Sequence, residues 1–388
     1  MEFDFDTLTP RENTNSVKYD GRKYYFGTED VTPVWVADTD FAAPECVTRA
    51  LQERIKHPVF GYTLYPESLY ESIINWFERR HQWKIERDWI LMAPGVVPSL
   101  FAAVQAFAKE GEGVVVQPPV YFPFFSSVTT NNRKLILNPL RAVNGRYEID
   151  FEHLESCAQQ GAKILMLCTP HNPVGRVWNE QELQEILRIA RQYDLTILSD
   201  DIHADLVYSE SKHIMLGRLA QPGDKIITTI APNKTFNIPG LGLSALIIPD
   251  AEPRKAMKNM FETLHIGNTN PLSIVAFEAA YREGDEWLNA LIKYLENTRD
   301  FVADFLQKNI PKIKLVKPEA TYLLWLDCRE LGMTDPQLRD FFVKQCKVGM
   351  NPGTVFGEVG SGFMRMNIGT SKKVIEHILL TIEKEINK

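Results

Sequence analysis

KIITTIAPNKTFNIPGLGLSALII, residues 225–248, sets two apolar, β-branched runs on either side of a loop of Pro, Asn and Gly that carries a single lysine, Lys234. The runs at 225–230 and 243–248 read as strands. Lys234 therefore stands close to a strand's C-terminal end. In an open α/β sheet that edge is where ligands bind, and a partly desolvated amine there has a lowered pKa and attacks an aldehyde to form an imine. A lone lysine in such a loop is ordinarily a solvated surface residue, so its meaning depends on what else reaches the same edge.

Working outward, further strands are expected at 113–117, 134–138, 163–168 and 195–199. They alternate with helical stretches such as 180–192, whose apolar residues recur three or four apart. This alternation predicts an α/β layer with a mostly parallel sheet. Beyond about Pro271 the pattern changes. SIVAFEAAY (273–281) and EWLNALIKYLENTRDFVADFLQ (286–307) read as long helices, and KIKLV, TYLLWLD and FMRMNI as short strands of a smaller α+β unit. The first 45 residues have little periodicity and read as an arm crossing to another part of the molecule or to a partner. The expected division is 1–45 for the arm and part of the small domain, 46–282 for the large domain and 283–388 for the C-terminal small domain.

The 388 residues are 44% hydrophobic with a formal net charge of -7, which excludes a disordered or fibrous chain and offers no basic block for nucleic acid or anionic lipid. The start, MEFDFDTLTPREN, lacks the basic and apolar regions of a signal peptide, and no apolar run reaches the roughly 18 residues of a membrane span. A cytoplasmic protein is expected, with the five scattered cysteines reduced. No histidine stands in an HExxH or similar spacing, so no metal is expected.

Several residues are candidates to join Lys234. LTILSDDIH (195–203) runs a buried strand into Asp200, Asp201 and His203. An ionised Asp200 beside a pyridine nitrogen would keep that nitrogen protonated, with Asp201 the less suited of the two and His203 either a ring contact or a structural histidine. CTPHNPVGR (168–176) ends another strand in an irregular turn whose Asn172 amide either donates to a ligand or merely forms the turn. APGVVPSLFAAVQAF (93–107) starts a helix at Gly95, Val96 and Val97, where backbone N–H groups and the helix dipole suit a phosphate. Tyr121, in QPPVYFPF, follows a strand and is either a ring cover for a cofactor or a core tyrosine. Arg365, alone in the apolar GFMRMNIG (362–369), is either a planar fork for a substrate carboxylate or half of an internal salt bridge.

Together, and in this order along nearly the whole chain, these segments resemble the fold-type I pyridoxal-5′-phosphate (PLP) enzymes of the class I/II aminotransferase superfamily. PVWVADTDF (33–41), GYTLYP (61–66), SDDIHADLVY (199–208), NKTFNIPGL (233–241) and EWLNALIKYLENTRD (286–300) look like its cystathionine β-lyase/cysteine-S-conjugate β-lyase branch. The resemblance implies a PLP-dependent transferase-like α/β fold, a large domain whose sheet is sandwiched by helices plus a smaller α+β domain. It implies that Lys234 carries PLP as an imine, Asp200 faces the ring nitrogen, Asn172 the ring oxygen, Tyr121 the ring face, and Arg365 the substrate carboxylate. By the same resemblance Tyr62 reaches the phosphate in the neighbouring subunit of a homodimer, and Trp35 and Ala37 border the substrate entrance. His203 stands where many relatives have tyrosine. Two departures are Asn233, where relatives usually carry a phosphate-binding serine, and the lack of an arginine after the lysine at the usual helical distance. The implied activity is β-elimination from cystathionine, cysteine or a related S-substituted cysteine, with Lys234 as general base. An aminotransferase is the runner-up, and a PLP-binding regulatory protein is a third reading.

Overall fold

The computed structural model describes residues 3–267 and 269–388. Its larger sheet has seven strands: β1 Ile90–Ala93, β2 Gly113–Val116, β3 Lys134–Leu137, β4 Ala162–Cys168, β5 Thr196–Asp200, β6 Ile226–Ile230 and β7 Ser244–Ile247, in the order β1-β7-β6-β5-β4-β2-β3. All neighbouring pairs are parallel except those made by β7, which runs antiparallel to both β6 and β1. Every residue of β5 and β6 is buried, because helices cover both faces; this is why these strands read as continuous apolar runs instead of alternating ones. β1 lies outside the strands expected from sequence. Its four residues, ILMA, are too few to show a period and run straight into the Pro-Gly start of a helix.

The helices that frame the site and its surroundings are α1 Glu45–Ile55, α2 Glu67–His81, α3 Val96–Phe107, α4 Glu180–Gln192, α5 Pro271–Glu283, α6 Asp285–Asn309 and α7 Lys372–Ile386. The bounds of α4 match the sequence reading. Asn179 and Glu182 form a reciprocal capping box at its start, which satisfies two backbone donors that the first turn leaves free.

A second, antiparallel sheet combines β8 Lys314–Val316, β9 Leu323–Asp327, β10 Asn351–Pro352 and β11 Phe363–Asn367 in the order β8-β9-β11-β10. Its register sets Arg365 between Trp325 and Asn351. The N-terminal arm does cross the molecule. Thr32–Pro33 pairs in parallel with Val348–Gly349, the Val34 carbonyl accepts from the Asn367 amide, and residues 35–41 run on beside the Lys234 loop.

Candidate active site

Register brings the chemistry to one sheet edge. Cys168 at the end of β4 lies opposite Asp200 at the end of β5, and Asp200 lies opposite Thr229 in β6. The loops leaving these ends carry Asn172, His203 and Lys234. A cavity of about 220 Å³ opens over them, lined by Ala37, Gly95, Val96, Val97, Tyr121, Asn172, Asp200, His203, Asn233 and Lys234 among the residues expected from sequence.

The Lys234 Nζ donates to the Ala37 carbonyl at 2.6 Å, and the Tyr322 hydroxyl donates to the same oxygen at 3.1 Å. The lysine stem keeps partial exposure along the cavity, while protein surrounds the nitrogen. That burial, opposed by the charge of Asp38, holds the amine down at about 8. Burial drives the Asp200 carboxyl up to about 7 even though its Oδ1 accepts from the Ile202 amide at 3.2 Å and the Thr229 hydroxyl at 3.4 Å. No cation in the chain pairs with Asp200 among the described residues. Asp201 is engaged elsewhere, accepting from Ser199 Oγ at 2.5 Å and meeting His213 Nε2 at 2.9 Å, so the cavity carboxylate of the pair is Asp200.

His203 is buried and held at about 3 by that burial, with Lys234 and Arg365 adding to the shift. It is a neutral imidazole whose Nδ1 has no partner. The Asn233 Oδ1 is likewise buried without a partner. At Gly95 the φ of 169° is ordinary extended backbone, and an added Cβ would meet only Pro98 at 3.5 Å. Neither strain nor protein packing calls for glycine there, and the position opens onto the cavity at the helix start.

Arg365 resolves the alternative left open by the sequence. Its guanidinium donates to Asn172 Oδ1 at 3.0 Å, to the Trp35 carbonyl at 2.9 Å and to Asn351 Oδ1 at 2.8 Å, and it lies over the Phe356 ring. No carboxylate pairs with it among the described residues, and its Nε has no acceptor. Burial lowers it to about 10. A buried cation without an anion is costly, so the internal salt bridge is replaced by a fork that awaits an external carboxylate.

Two expected residues stand outside this cavity: Trp35, and Tyr62, which the resemblance assigns to the site of the neighbouring subunit. The Trp35 indole is packed against Tyr25 and Phe26 with Nε1 donating to the Lys18 carbonyl, and only its backbone oxygen meets the site. The reason is local: the chain leaves the strand after Pro33 and bends at residues 36–38, where the Asp38 amide donates to the Val36 carbonyl, so residues 35 and 37 do not share a face. Tyr62 is 99% exposed and does not line the cavity. Sequence reasoning missed Tyr322, Asn351 and Asp38, which act through Ala37, Arg365 and the field at Lys234. Asp38 stood within PVWVADTDF, and the quoted motif was the signal available for it.

The whole of this arrangement defines a class. The family model for aminotransferase class I and II matches residues 33–382, and the chain belongs to that family. Within it the chain falls in the cystathionine β-lyase/C–S lyase branch. It is 41% identical over 385 residues to the cystathionine beta-lyase PatB of Bacillus subtilis, covering 99% of this chain and 100% of that one. Among solved structures, a PLP-bound chain from Clostridium difficile 630 superposes with a TM-score of 0.97 at 39% identity, each chain covered in full. Cystalysin from Treponema denticola, which contains a pyridoxal 5′-phosphate cofactor, gives a TM-score of 0.96 at 36% identity over 100% of this chain and 99% of that one.

Proposed function

We infer that this protein is a PLP-dependent carbon–sulfur β-lyase, cleaving cystathionine, cysteine or a related S-substituted cysteine to pyruvate, ammonia and a thiol. One observation carries the reading. The edge of the large sheet and the facing strand β11 bring together an amine held near 8, a buried carboxylate and, bonded to the cavity residue Asn172, a buried guanidinium, the last two without an ion-pair partner among the described residues. These are the complements of an aldehyde, a protonated pyridine ring and an α-carboxylate.

When bound, PLP supplies an aldehyde for covalent linkage to an amine and a ring that accepts electrons from the adjoining carbon. The residues present fit it. Asp200 lacks the cation that would return its carboxyl to the ionised state, Asn233 has a buried amide oxygen to spare, and the start of α3 presents free backbone N–H groups beside Gly95. Among the described residues no arginine lines this cavity.

The chain's own groups then divide the work. Arg365 holds the substrate carboxylate through its fork, and Asn172, already fixed by Arg365 Nη1, keeps its amide nitrogen free to donate to the ring oxygen. Lys234 Nζ is partly neutral at pH 7–8 and takes the proton from Cα as general base. Burial raises the Tyr121 hydroxyl, which therefore keeps its proton at neutral pH and, with the newly formed Lys234 ammonium, is placed to protonate the departing sulfur. His203 stays neutral and adds no charge against the ring.

The aminotransferase alternative uses the same residues, but a dicarboxylate acceptor needs a second cation. Among the described residues Lys234 is the only cation lining the cavity, and Arg365, which reaches it through Asn172, is taken by the α-carboxylate. A homodimer working in the cytoplasm completes the proposal. Phe60, Tyr62 and Leu64 are apolar and exposed on one loop, as residues are that reach into a partner's site. The test is to incubate purified holoenzyme with cystathionine and no keto acid, following pyruvate, ammonia and free thiol. All three should appear in equal amounts. Turnover only on adding 2-oxoglutarate would replace the lyase with the transaminase.

A further inference from the structure

Asp38 and Asp40 form the most heavily paired acidic site of the arm. Arg11 grips Asp38 with both nitrogens, Nη1 to Oδ1 at 2.8 Å and Nη2 to Oδ2 at 2.6 Å, and reaches Asp40 Oδ1 at 2.9 Å and the Thr39 carbonyl at 3.1 Å. Lys18, fully buried, meets Asp40 at 2.9 Å and Asp38 only at 3.9 Å, and the Tyr19 hydroxyl donates to Asp40 Oδ2 at 3.0 Å. Two cations therefore balance two carboxylates, with Arg11 the principal partner of Asp38 and Lys18 that of Asp40.

The position of Asp38 gives this pairing a consequence. The preceding residue, Ala37, accepts from Lys234 Nζ. The segment around it is pinned: Asn367 Nδ2 donates to the Val36 and Asp38 carbonyls at 2.6 Å each, and Asn237, three residues after Lys234, takes the Thr39 amide at 2.9 Å and donates to the Thr39 and Phe41 carbonyls at 2.9 and 2.7 Å. These bonds fix the backbone beside the lysine, while the Asp38 carboxylate itself is held by Arg11 and, at 3.9 Å, by Lys18. Three charged groups act on the Lys234 nitrogen: Asp38 from the arm, Asp200 from β5 and Arg365 from β11. Three titratable groups stand beside it: His203 after β5, Tyr121 on the cavity wall and Tyr322, which shares the Ala37 carbonyl, the imidazole pushed down and both hydroxyls pushed up by burial. Of the charges, Asp38 acts on Lys234 most strongly, ahead of Arg365 and Asp200.

We propose that Arg11 is a positioning residue: by gripping both oxygens of Asp38, it keeps that carboxylate out of an ion pair with Lys234 and so limits its hold on the lysine nitrogen as an ammonium. The arm thus sets the fraction of Lys234 that is a free base. The proposal rests on Lys234 being the reactive amine of the site, and it extends that reading to a residue outside the cavity. Arg11 keeps 22% side-chain exposure, and Lys18, Tyr19 and Asp40 still fasten the arm without it, so its replacement leaves the fold its main anchors.

The test is competitive labelling of the full-length, cofactor-free chain with trace acetic anhydride across pH 6–11, the Lys234 peptide being quantified by mass spectrometry. Arg11→Met should raise the Lys234 midpoint by about one pH unit, making labelling below it about 10-fold slower, as expected for a newly unpaired neighbouring charge. Asp38→Asn should lower the midpoint. Arg11→Lys, which keeps the charge, should stay near the wild type, and the double variant Arg11→Met/Asp38→Asn should lose the upward shift. An unchanged midpoint in Arg11→Met, or an upward shift that persists in the double variant, overturns the proposal. Should Arg11→Met not fold, Asp38→Asn decides alone: a midpoint equal to wild type or higher overturns it. Adding PLP to the same samples reads the cofactor assignment separately, since protection of Lys234 from labelling depends on that assignment and not on Arg11.

Discussion

Lys234 Nζ lies 2.6 Å from the carbonyl oxygen of Ala37, a residue 197 positions earlier in the chain. The contact joins the end of a strand in the large sheet to an arm that itself pairs with the small domain. The reactive amine therefore senses the packing of three separate segments: its own loop, the arm, and β11 through Arg365 and Asn367.

The lowered Lys234 value fixes a pH dependence. The neutral amine is the nucleophile toward an aldehyde, so uptake of PLP by the cofactor-free chain should rise about 10-fold per pH unit up to about 8 and level off above it. Stopped-flow absorbance at a series of pH values measures this. A rise continuing to pH 10 would mean the amine is not desolvated.

Asp200 predicts a stability change with a definite sign. Its folded value of about 7 exceeds the ordinary 3.8, so in the cofactor-free state the fold binds a proton more tightly than the unfolded chain does, and stability falls as pH rises from about 4 through 7. Asp200→Asn should therefore stabilise the cofactor-free protein relative to wild type, with a gap that widens by about 2–3 kcal/mol between pH 5 and pH 8. Urea melts at the two pH values measure it. The same variant should bind PLP more weakly, because the cationic ring loses its counter-charge.

Arg365→Ala should leave the cofactor's absorption in place and raise KM for an S-substituted cysteine by about 10- to 100-fold, the range for losing a charged hydrogen-bonded pair. Arg365→Lys should recover little of this, since a lysine cannot present two parallel donors while also holding Asn172 and Asn351. Steady-state kinetics with the cofactor spectrum as control separates the two effects.

Tyr121 is partly buried on the cavity wall, with Phe122 packed against it. Tyr121→Phe keeps the ring and removes the proton, and should lower kcat by about 10-fold at unchanged cofactor affinity if its hydroxyl serves the leaving sulfur. Tyr121→Ala should instead weaken cofactor retention. Equilibrium dialysis and kcat on the same preparations distinguish a proton donor from a ring cover.

Much of this was readable from the chain alone, and the physical reason differs by residue. The central strands were visible because burial on both faces makes them continuous apolar runs, and Asp200 and Lys234 because polar groups interrupt such runs where a strand ends. β1 was not, being four residues long at the sheet's edge. Tyr322 and Asn351 were not, because they reach the site through another residue's carbonyl or guanidinium and carry no sequence pattern of their own. Arg365 was seen as a candidate, but only the structure excluded a carboxylate partner within the described residues. Trp35 differs again: its segment borders the site and its carbonyl meets Arg365, while its indole packs on Tyr25 and Phe26, an orientation that the sequence does not encode as a pattern.

The central claim is that Lys234 is the amine that carries the cofactor. Borohydride reduction of the holoenzyme, followed by proteolysis and mass spectrometry, measures it directly. The account predicts one phosphopyridoxyl group per chain on the peptide containing Lys234, and none in Lys234→Ala. The same group found on another lysine of the unaltered protein would contradict it.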